Sequence, residues 1–437
     1  MTTRGDEMTT VNYCGPALDR AREDVVPLLQ RLLSFNTDAG SPLDEPQDDE
    51  AHQACVAEYL TNIGAQVEVF VPDPSTWRDH HRAAEGQTFE GRPVIWARIP
   101  GNPDGRSLLF NGHYDTVPSG PEDDWTHPPH AGVLVDGKVY GRGSCDMKGG
   151  IAAALAAASA LTTSGYPLPG DVLFNIVPFE EVNGMGTIAT IRNGYRADAA
   201  VCMEPTGLRP LAGSRGIMEL EIEVNGRSGH GEFLQPHHSL GGAVNAIDKL
   251  TEILIAIRRL NDQWRTDPQK QHSLYPPPMA LPTVLEAGTF WCTWPGQAKA
   301  VFDVTYMPAD ADARGGGARV RAEVERFLNL IAQTDDWMAQ NPPLFHWRNE
   351  FPASAVDVDE PIIQLAHEIA DHPDGIGGLE SWGDHVSLAV EGGIPSLSLG
   401  PGASFQAHAV DEYVPVDDLQ RSVDIYAQMM TRWGCQE

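Results

Sequence analysis

Apolar and polar positions along this chain repeat with two periods, and the switches between them mark its elements. Over residues 20–33 the apolar side chains Val25, Val26, Leu28, Leu29, Leu32 and Leu33 fall at helical spacing, which predicts an amphipathic helix. A second helix is predicted over 51–64, and the segment 72–93, rich in charge, Pro and His, reads as a long surface loop. Beyond it, short apolar runs alternate with helical segments. Strands are predicted at 93–99, 107–111, 171–178, 199–203 and 395–399, and an Ala-rich helix at 149–161 opens on two glycines. Such alternation predicts an α/β fold: a mixed, mostly parallel sheet with helices on both faces.

Near Ser214 the pattern changes. Residues 217–224 alternate as a half-exposed strand, 240–260 form a long helix, 301–305 a strand and 319–331 a further helix. This segment reads as a smaller α+β unit, after which α/β character returns with a helix at 361–371. The expected organisation is one domain built from residues 1–212 and 336–437, interrupted by a second at 213–335. Two cores suit a chain of 437 residues.

Charge narrows the list of partners. With 30 Lys and Arg against 61 Asp and Glu, the formal charge of −31 repels nucleic acid and anionic membrane surfaces. Six scattered cysteines with no CxxC pair indicate neither a zinc knuckle nor a disulfide framework. No apolar run approaches the roughly 20 residues of a membrane span, and the polar N-terminus has no signal-like apolar stretch. The expectation is a cytoplasmic protein acting on a small molecule.

The candidate chemistry lies where strands end. His113 and Asp115 follow one predicted strand, Glu180 and Glu181 another and Glu204 a third, and His408 lies in the loop after the last. Open α/β sheets bind ligands outside the carboxyl ends of their strands, so six metal-competent side chains are expected at one edge. Taken singly, each motif has a plainer reading: His113-Tyr114-Asp115 as a solvated turn, Asp146 as a cap for the helix that follows, Glu180-Glu181 as exposed acids. Taken together, they suit a divalent metal site in which Asp115 accepts the free ring N–H of His113, and one carboxylate of the Glu180-Glu181 pair binds metal while the other serves as base.

The segments LLFNGHYDTVP, GRGSCDMKGGIAAAL, PFEEVNGMGT, CMEPTG and GPGASFQAHAVDEYVPV give the chain a resemblance to the M20 metallopeptidase family of deacetylases, desuccinylases, aminoacylases and carboxypeptidases, over about residues 19–433. The resemblance implies two divalent ions, zinc ahead of manganese or cobalt, bridged by Asp146. His113 and Glu204 complete one ion's shell, and Glu181 and His408 the other's. It further implies Glu180 as general base, Asp115 as orienter of His113, a cis peptide at Asp146-Met147, and His230 in NGRSGHGEF as donor to the developing oxyanion. The 213–335 unit becomes a lid and dimerisation domain, and a homodimer through it is expected.

One position departs from the pattern. Many family members read D-x-R-x-x-P on the last lid strand, where the Arg grips a substrate carboxylate; here Asp303-Val304-Thr305-Tyr306-Met307-Pro308 places Thr305 there. Arg215 or Arg314 is the alternative source of that grip. Trp291 and Trp294 are read as core or interface residues, with an aromatic substrate pocket as the second reading. The expected activity is hydrolysis of an amide or other C–N bond, as an N-acyl amino acid deacylase or amidohydrolase. Dipeptidase or carboxypeptidase action and hydrolytic deamination of a small aromatic follow. A non-catalytic metal-binding scaffold is disfavoured by the presence of Glu180, and a nucleotide enzyme is disfavoured because Gly184 and Gly186 lie inside the M20 motif.

Overall fold

The computed structural model describes residues 5–435. The strands of its two larger sheets, in chain order, are β1 (Gln66–Phe70), β2 (Val94–Ile99), β3 (Leu108–His113), β4 (Val172–Val177), β5 (Ala199–Cys202) and β6 (Leu211–Ser214), then β7 (Gly216–Asn225), β8 (Ala280–Ala287), β9 (Gln297–Tyr306) and β10 (Leu344–Phe351), and finally β11 (Gly377–Leu379) and β12 (Ser396–Ser398). The longer helices are α1 (Gly5–Leu33), α2 (Asp49–Asn62), α3 (Lys148–Thr163), α4 (Met185–Arg192), α5 (Ala246–Thr266), α6 (Ala318–Ala332), α7 (Pro361–Ala370), α8 (Asp384–Val390) and α9 (Val416–Arg432).

The chain forms two compact units. One comprises the residues up to Gly213, Ala355–Leu379 and those from Gly383 onward; the other comprises Ser214–Ser354 and Glu380–Trp382. In the first, eight strands form one sheet in the order β1-β2-β4-β3-β5-β12-β6-β11. The central strands β4, β3, β5 and β12 run parallel, while β1, β2 and β6 pair antiparallel with their neighbours.

Side-chain alternation explains why helices cover both faces. Leu108 and Phe110 of β3, with Val172, Phe174 and Ile176 of β4, pack against α1, α3 and α9 in the main core. Leu109, Leu173, Ala200 and Cys202 point the other way, onto Ile191 of α4 and Leu388 of α8. Because both faces are buried, the strands read as unbroken apolar runs. For the same reason the two fully buried asparagines, Asn111 and Asn175, stand out.

The second unit has a four-stranded antiparallel sheet, β8-β9-β7-β10, with α5 and α6 packed on it through Leu250, Ile253, Ile257, Val324 and Leu328. The sequence pattern closed this unit at residue 335, but β10 pairs with β7 and carries it to Ser354. Alternation along Leu344–Phe351 breaks after Arg348, where the register with β7 shifts, and this hides the strand from periodicity. The helix expected from Leu240 starts at Ala246 instead, where the Asn245 side chain accepts the Ile247 N–H at 2.9 Å.

The segment 72–93 also differs from expectation. It carries a helical turn at Pro74–Trp77, and its Trp77 and Phe89 are buried with Phe179, Met185 and Ile188. Phe89 meets the Phe179 ring edge-on at 5.0 Å. The charged residues of this segment concealed two anchoring aromatics. All six cysteines are free, and no helix among the described residues is long and apolar enough to cross a membrane.

Phe110 is fully buried, stacked on Phe174 at 5.8 Å and edge-on to Tyr426 at 5.3 Å. Replacing it by Ala leaves a cavity at the centre of the first unit. A loss of about 3–5 kcal/mol is expected in denaturant unfolding; a change below about 1 kcal/mol would mean the core closes over the gap.

Candidate metal centre

The four parallel strands end on the same edge of the sheet, and the residues of interest lie at or just beyond those ends. His113 is the last residue of β3, Glu180 and Glu181 follow β4, Glu204 follows β5, and His408 lies in the loop after β12. Asp146 stands in the turn before α3, and the Asp146-Met147 peptide is cis. The capping role open to Asp146 is not taken up: the N-cap position is Met147, and no side chain caps the helix. Helix α3 fits beneath the end of β5 because of Gly150, where a Cβ atom would lie 2.2 Å from the Met203 carbonyl oxygen.

Two trios of ligand atoms result, His113-Asp146-Glu204 and Asp146-Glu181-His408, each with its atoms within 4.8 Å of one another. Asp146 belongs to both. Its Oδ1 lies 3.0 Å from His113 Nε2 and its Oδ2 lies 3.6 Å from His408 Nε2. Glu204 Oε2 stands 3.9 Å from His113 Nε2, and Glu181 Oε2 stands 3.0 Å from His408 Nε2. Glu180 Oε2 is 4.0 Å from His113 Nε2 and belongs to neither trio.

The donor set fits divalent cations. Each trio offers one imidazole nitrogen and two carboxylates, a combination that zinc, manganese and cobalt accept. Glu204 Oε1 is buried with no hydrogen-bond partner among the described residues, and a buried carboxylate oxygen left this way is suited to a cation.

Electrostatics point the same way. Burial raises Glu180 well above its usual range, and the nearby carboxylates Glu204, Asp384 and Glu181 add to the shift. Burial and then Asp146 push Glu181 up to about 7. Burial would lower His113, but its hydrogen bonds to Asp146 and Glu204 hold it well above its usual value. Asp146 is pulled down despite burial by the His113 hydrogen bond and the charges of His113 and His408.

Asp115 departs from the role drawn from its spacing. His113 Nδ1 lies 2.8 Å from the Asp115 main-chain oxygen, while the carboxylate is 3.8 Å away. That carbonyl fixes the ring. The Asp115 carboxylate instead accepts the backbone N–H groups of Glu180 at 3.3 Å and Glu181 at 3.2 Å. It thereby holds the chain that turns through Phe179, whose φ of 69° is uncommon for a side-chain-bearing residue.

Below the trios lies a polar layer that the spacing of motifs did not predict. Asp384 Oδ2 accepts the Thr187 hydroxyl at 2.6 Å and faces the Asn111 amide at 3.4 Å, and Asn175 donates to Asn111 Oδ1 at 2.7 Å. Burial pushes Asp384 up to about 6. The available signal was an Asn within each of two otherwise apolar strands.

The remaining expected site residues belong to the second unit. His230 lies on Gly229–His230, paired with Thr293–Trp294, and its ring contacts Phe233 at 4.7 Å. Trp291 is largely exposed and Trp294 half-buried, so the core reading fails for Trp291. Thr305 is buried, its hydroxyl shared between the Met279 amide at 3.0 Å and the Met279 carbonyl at 3.3 Å. Arg215 donates to the Glu380 carbonyl at 3.1 and 3.0 Å and to the Pro277 carbonyl at 3.5 Å.

An α/β sheet carrying two overlapping His-carboxylate trios at its carboxyl edge defines the class as a metallohydrolase. A family model described as peptidase family M20/M25/M40 matches residues 109–432, and the chain belongs to that family, as a hydrolase acting on C–N bonds. It is 25% identical over 436 residues to the N-formyl-4-amino-5-aminomethyl-2-methylpyrimidine deformylase of Bacillus subtilis, covering 95% of this chain and 96% of that one. It is 30% identical over 362 residues to the succinyl-diaminopimelate desuccinylase of Paracoccus denitrificans, covering 79% and 87%. The crystal structure of a tripeptidase from Staphylococcus aureus shares the fold, with a TM-score of 0.72 at 15% identity over 95% of this chain and 99% of the other.

The raised carboxylates make the metal-free protein pH-sensitive. For Asp115, raised to about 6, and Glu181, raised to about 7, stabilisation is present below the ordinary carboxylate pKa and is lost as pH rises through those values. A cation held by Glu181 would remove that residue's share of the cost. The thermal shift on adding zinc or cobalt, against a chelated sample, is therefore expected to be larger at pH 7.5 than at pH 5; equal shifts would contradict this electrostatic account.

Proposed function

We propose that this protein hydrolyses the amide of a small N-acylated amine lacking a carboxylate near the acyl group, with an N-formyl group on a heteroaromatic methylamine as the first candidate. Thr305 carries the reading. At the position where many M20 enzymes present an Arg to a substrate carboxylate, the side chain is a threonine engaged with Met279, and Arg215 is engaged by main-chain carbonyls. The deformylase relative, similar over 95% of the chain, supports the same class. The desuccinylase relative supports N-succinyl amino acids as the second reading.

In this proposal His113 and Glu204 hold one ion and Glu181 and His408 the other, with Asp146 shared. When bound, two divalent cations, zinc ahead of manganese or cobalt, supply Lewis acidity to the amide carbonyl and lower the pKa of coordinated water. Glu180 has a carboxylate beside the trios that belongs to neither. Burial and neighbouring acids raise its proton affinity well above the ordinary carboxylate range, which suits a group that must take a proton and give it back. It removes a proton from the attacking water as oxygen adds to the acyl carbon, then delivers one to the departing nitrogen as the C–N bond breaks. An N-formyl substrate yields formate and the free amine. The oxyanion role that the family resemblance gives His230, and pairing of two copies through the second unit as a lid and dimerisation domain, belong to the same proposal.

The test is turnover by metal-loaded protein on N-formyl aminomethylpyrimidines, N-acetyl and N-succinyl amino acids and dipeptides. The highest kcat/KM is expected on the formyl amide. Glu180→Ala is expected to lower kcat by roughly 10²–10⁴-fold while metal uptake persists. Preference for N-succinyl amino acids would overturn the substrate assignment. Full activity in the Glu180 variant would remove its role as base.

A further inference from the structure

We propose that Glu412 is a positioning residue of the metal centre, its carboxylate fixing the 142–146 turn so that Asp146 is presented between His113 and His408. The inference rests on the reading that the two trios hold divalent cations, and it adds a residue outside both of them.

Glu412 is buried, and both of its carboxylate oxygens are engaged. Oε2 accepts Arg142 Nη1 at 2.7 Å and the Gly143 N–H at 3.1 Å. Oε1 accepts the Cys145 N–H at 2.8 Å and the Asp146 N–H at 3.1 Å. Arg–carboxylate pairs are frequently bidentate, fork to fork. Here one bond goes to the Arg, and three go to main-chain donors on the residues leading into the shared ligand. The turn they hold is tight: Gly143 takes φ +81°, and a Cβ there would sit 2.6 Å from Thr116 Cγ2.

Glu412 reaches this place through the sheet at its back. Residues Tyr413–Pro415 pair antiparallel with Lys138–Tyr140, and the Gly141 N–H donates to the Glu412 carbonyl at 2.9 Å. Arg142 closes the arrangement by donating to the Ala409 carbonyl at 3.2 Å, with its guanidinium over the Trp125 ring at 5.1 Å. The segment that carries His408 is thus tied on both sides of Glu412 to the turn that carries Asp146. Since Asp146 serves both trios, a shift of this turn would disturb both ions at once.

Cobalt(II) alone is the probe, titrated into metal-free full-length protein and followed by its visible absorption and by calorimetry. Wild type is expected to take up two equivalents. Glu412→Gln keeps the length but turns one acceptor oxygen into an NH2 facing donors, and it is expected to bind about 10–100-fold more weakly with an altered cobalt spectrum. Leu60→Ala, a buried change in α2 that lowers the melting temperature without touching the turn, is expected to keep wild-type cobalt affinity. If wild type takes up no cobalt, the metal reading itself fails and the inference falls with it. If wild type binds but Glu412→Gln matches it in affinity and spectrum, or Leu60→Ala loses as much affinity, the positioning role alone is overturned. Should Glu412→Gln not fold, Glu412→Asp takes its place; wild-type cobalt binding in that variant, or failure of both to fold, would likewise assign the carboxylate to folding and not to the metal centre.

Discussion

The rest of this structure is arranged around one electrostatic burden: several carboxylates and an imidazole buried side by side at the carboxyl edge of the sheet. Asp115, Asp146, Glu180, Glu181, Glu204 and Asp384 all sit within the fold, and burial raises the proton affinity of most of them. His113 and the partly exposed His408 approach them closely as counter-charges, and the Arg82 charge acts on Asp384 and Glu180. Packing like charges together in a low-dielectric site is costly unless a cation or a fixed set of donors answers them. Both answers are built in, one as a place for cations and the other as backbone N–H groups.

The two kinds of carboxylate are distinguished by what they accept. Asp115 and Glu412 take main-chain N–H groups from the segments bearing Glu180, Glu181 and Asp146. They act on the backbone, and so set where the other acids point. Asp146, Glu181 and Glu204 contact histidine nitrogens and are otherwise free to face a cation, with Glu204 Oε1 left unpartnered. Glu180 belongs to neither trio, although its Oε2 stands 4.0 Å from His113 Nε2. The Asn111-Asn175-Thr187-Asp384 layer beneath fixes the floor by directional bonds where apolar packing alone would tolerate small shifts.

Thr305 and the candidate metal ligands belong to different units of the chain. The second unit has its own sheet and core, and Thr305 lies within that sheet, paired through its backbone to Ile217. In the function proposed above, Thr305 bears on the favoured acyl group, and the candidate metal ligands belong to the first unit. The similar chains differ in what they are named for, a deformylase and a desuccinylase.

Much of this was legible in the chain. Apolar runs of strand length separated by helical segments determine a two-faced parallel sheet, since only buried strands tolerate such runs, and acids placed just after them must lie at its carboxyl edge. His113, Asp146, Glu180, Glu181, Glu204 and His408 could therefore be brought together from sequence order and motif resemblance. Residues whose role depends on long-range hydrogen bonds could not. Nothing in DEYVPV says that Glu412 accepts the N–H of Asp146, 266 residues away along the chain, and nothing in HYD says that the Asp115 carbonyl, not its carboxylate, meets the His113 ring. Edge strands such as β10 and the buried aromatics of the 72–93 segment escaped for the related reason that periodicity registers burial only when it recurs regularly. Sequence determines which groups can do chemistry and which surfaces must be hidden. The tertiary structure decides which donor meets which acceptor, because hydrogen bonds depend on distances and angles that exist only after the chain has closed on itself.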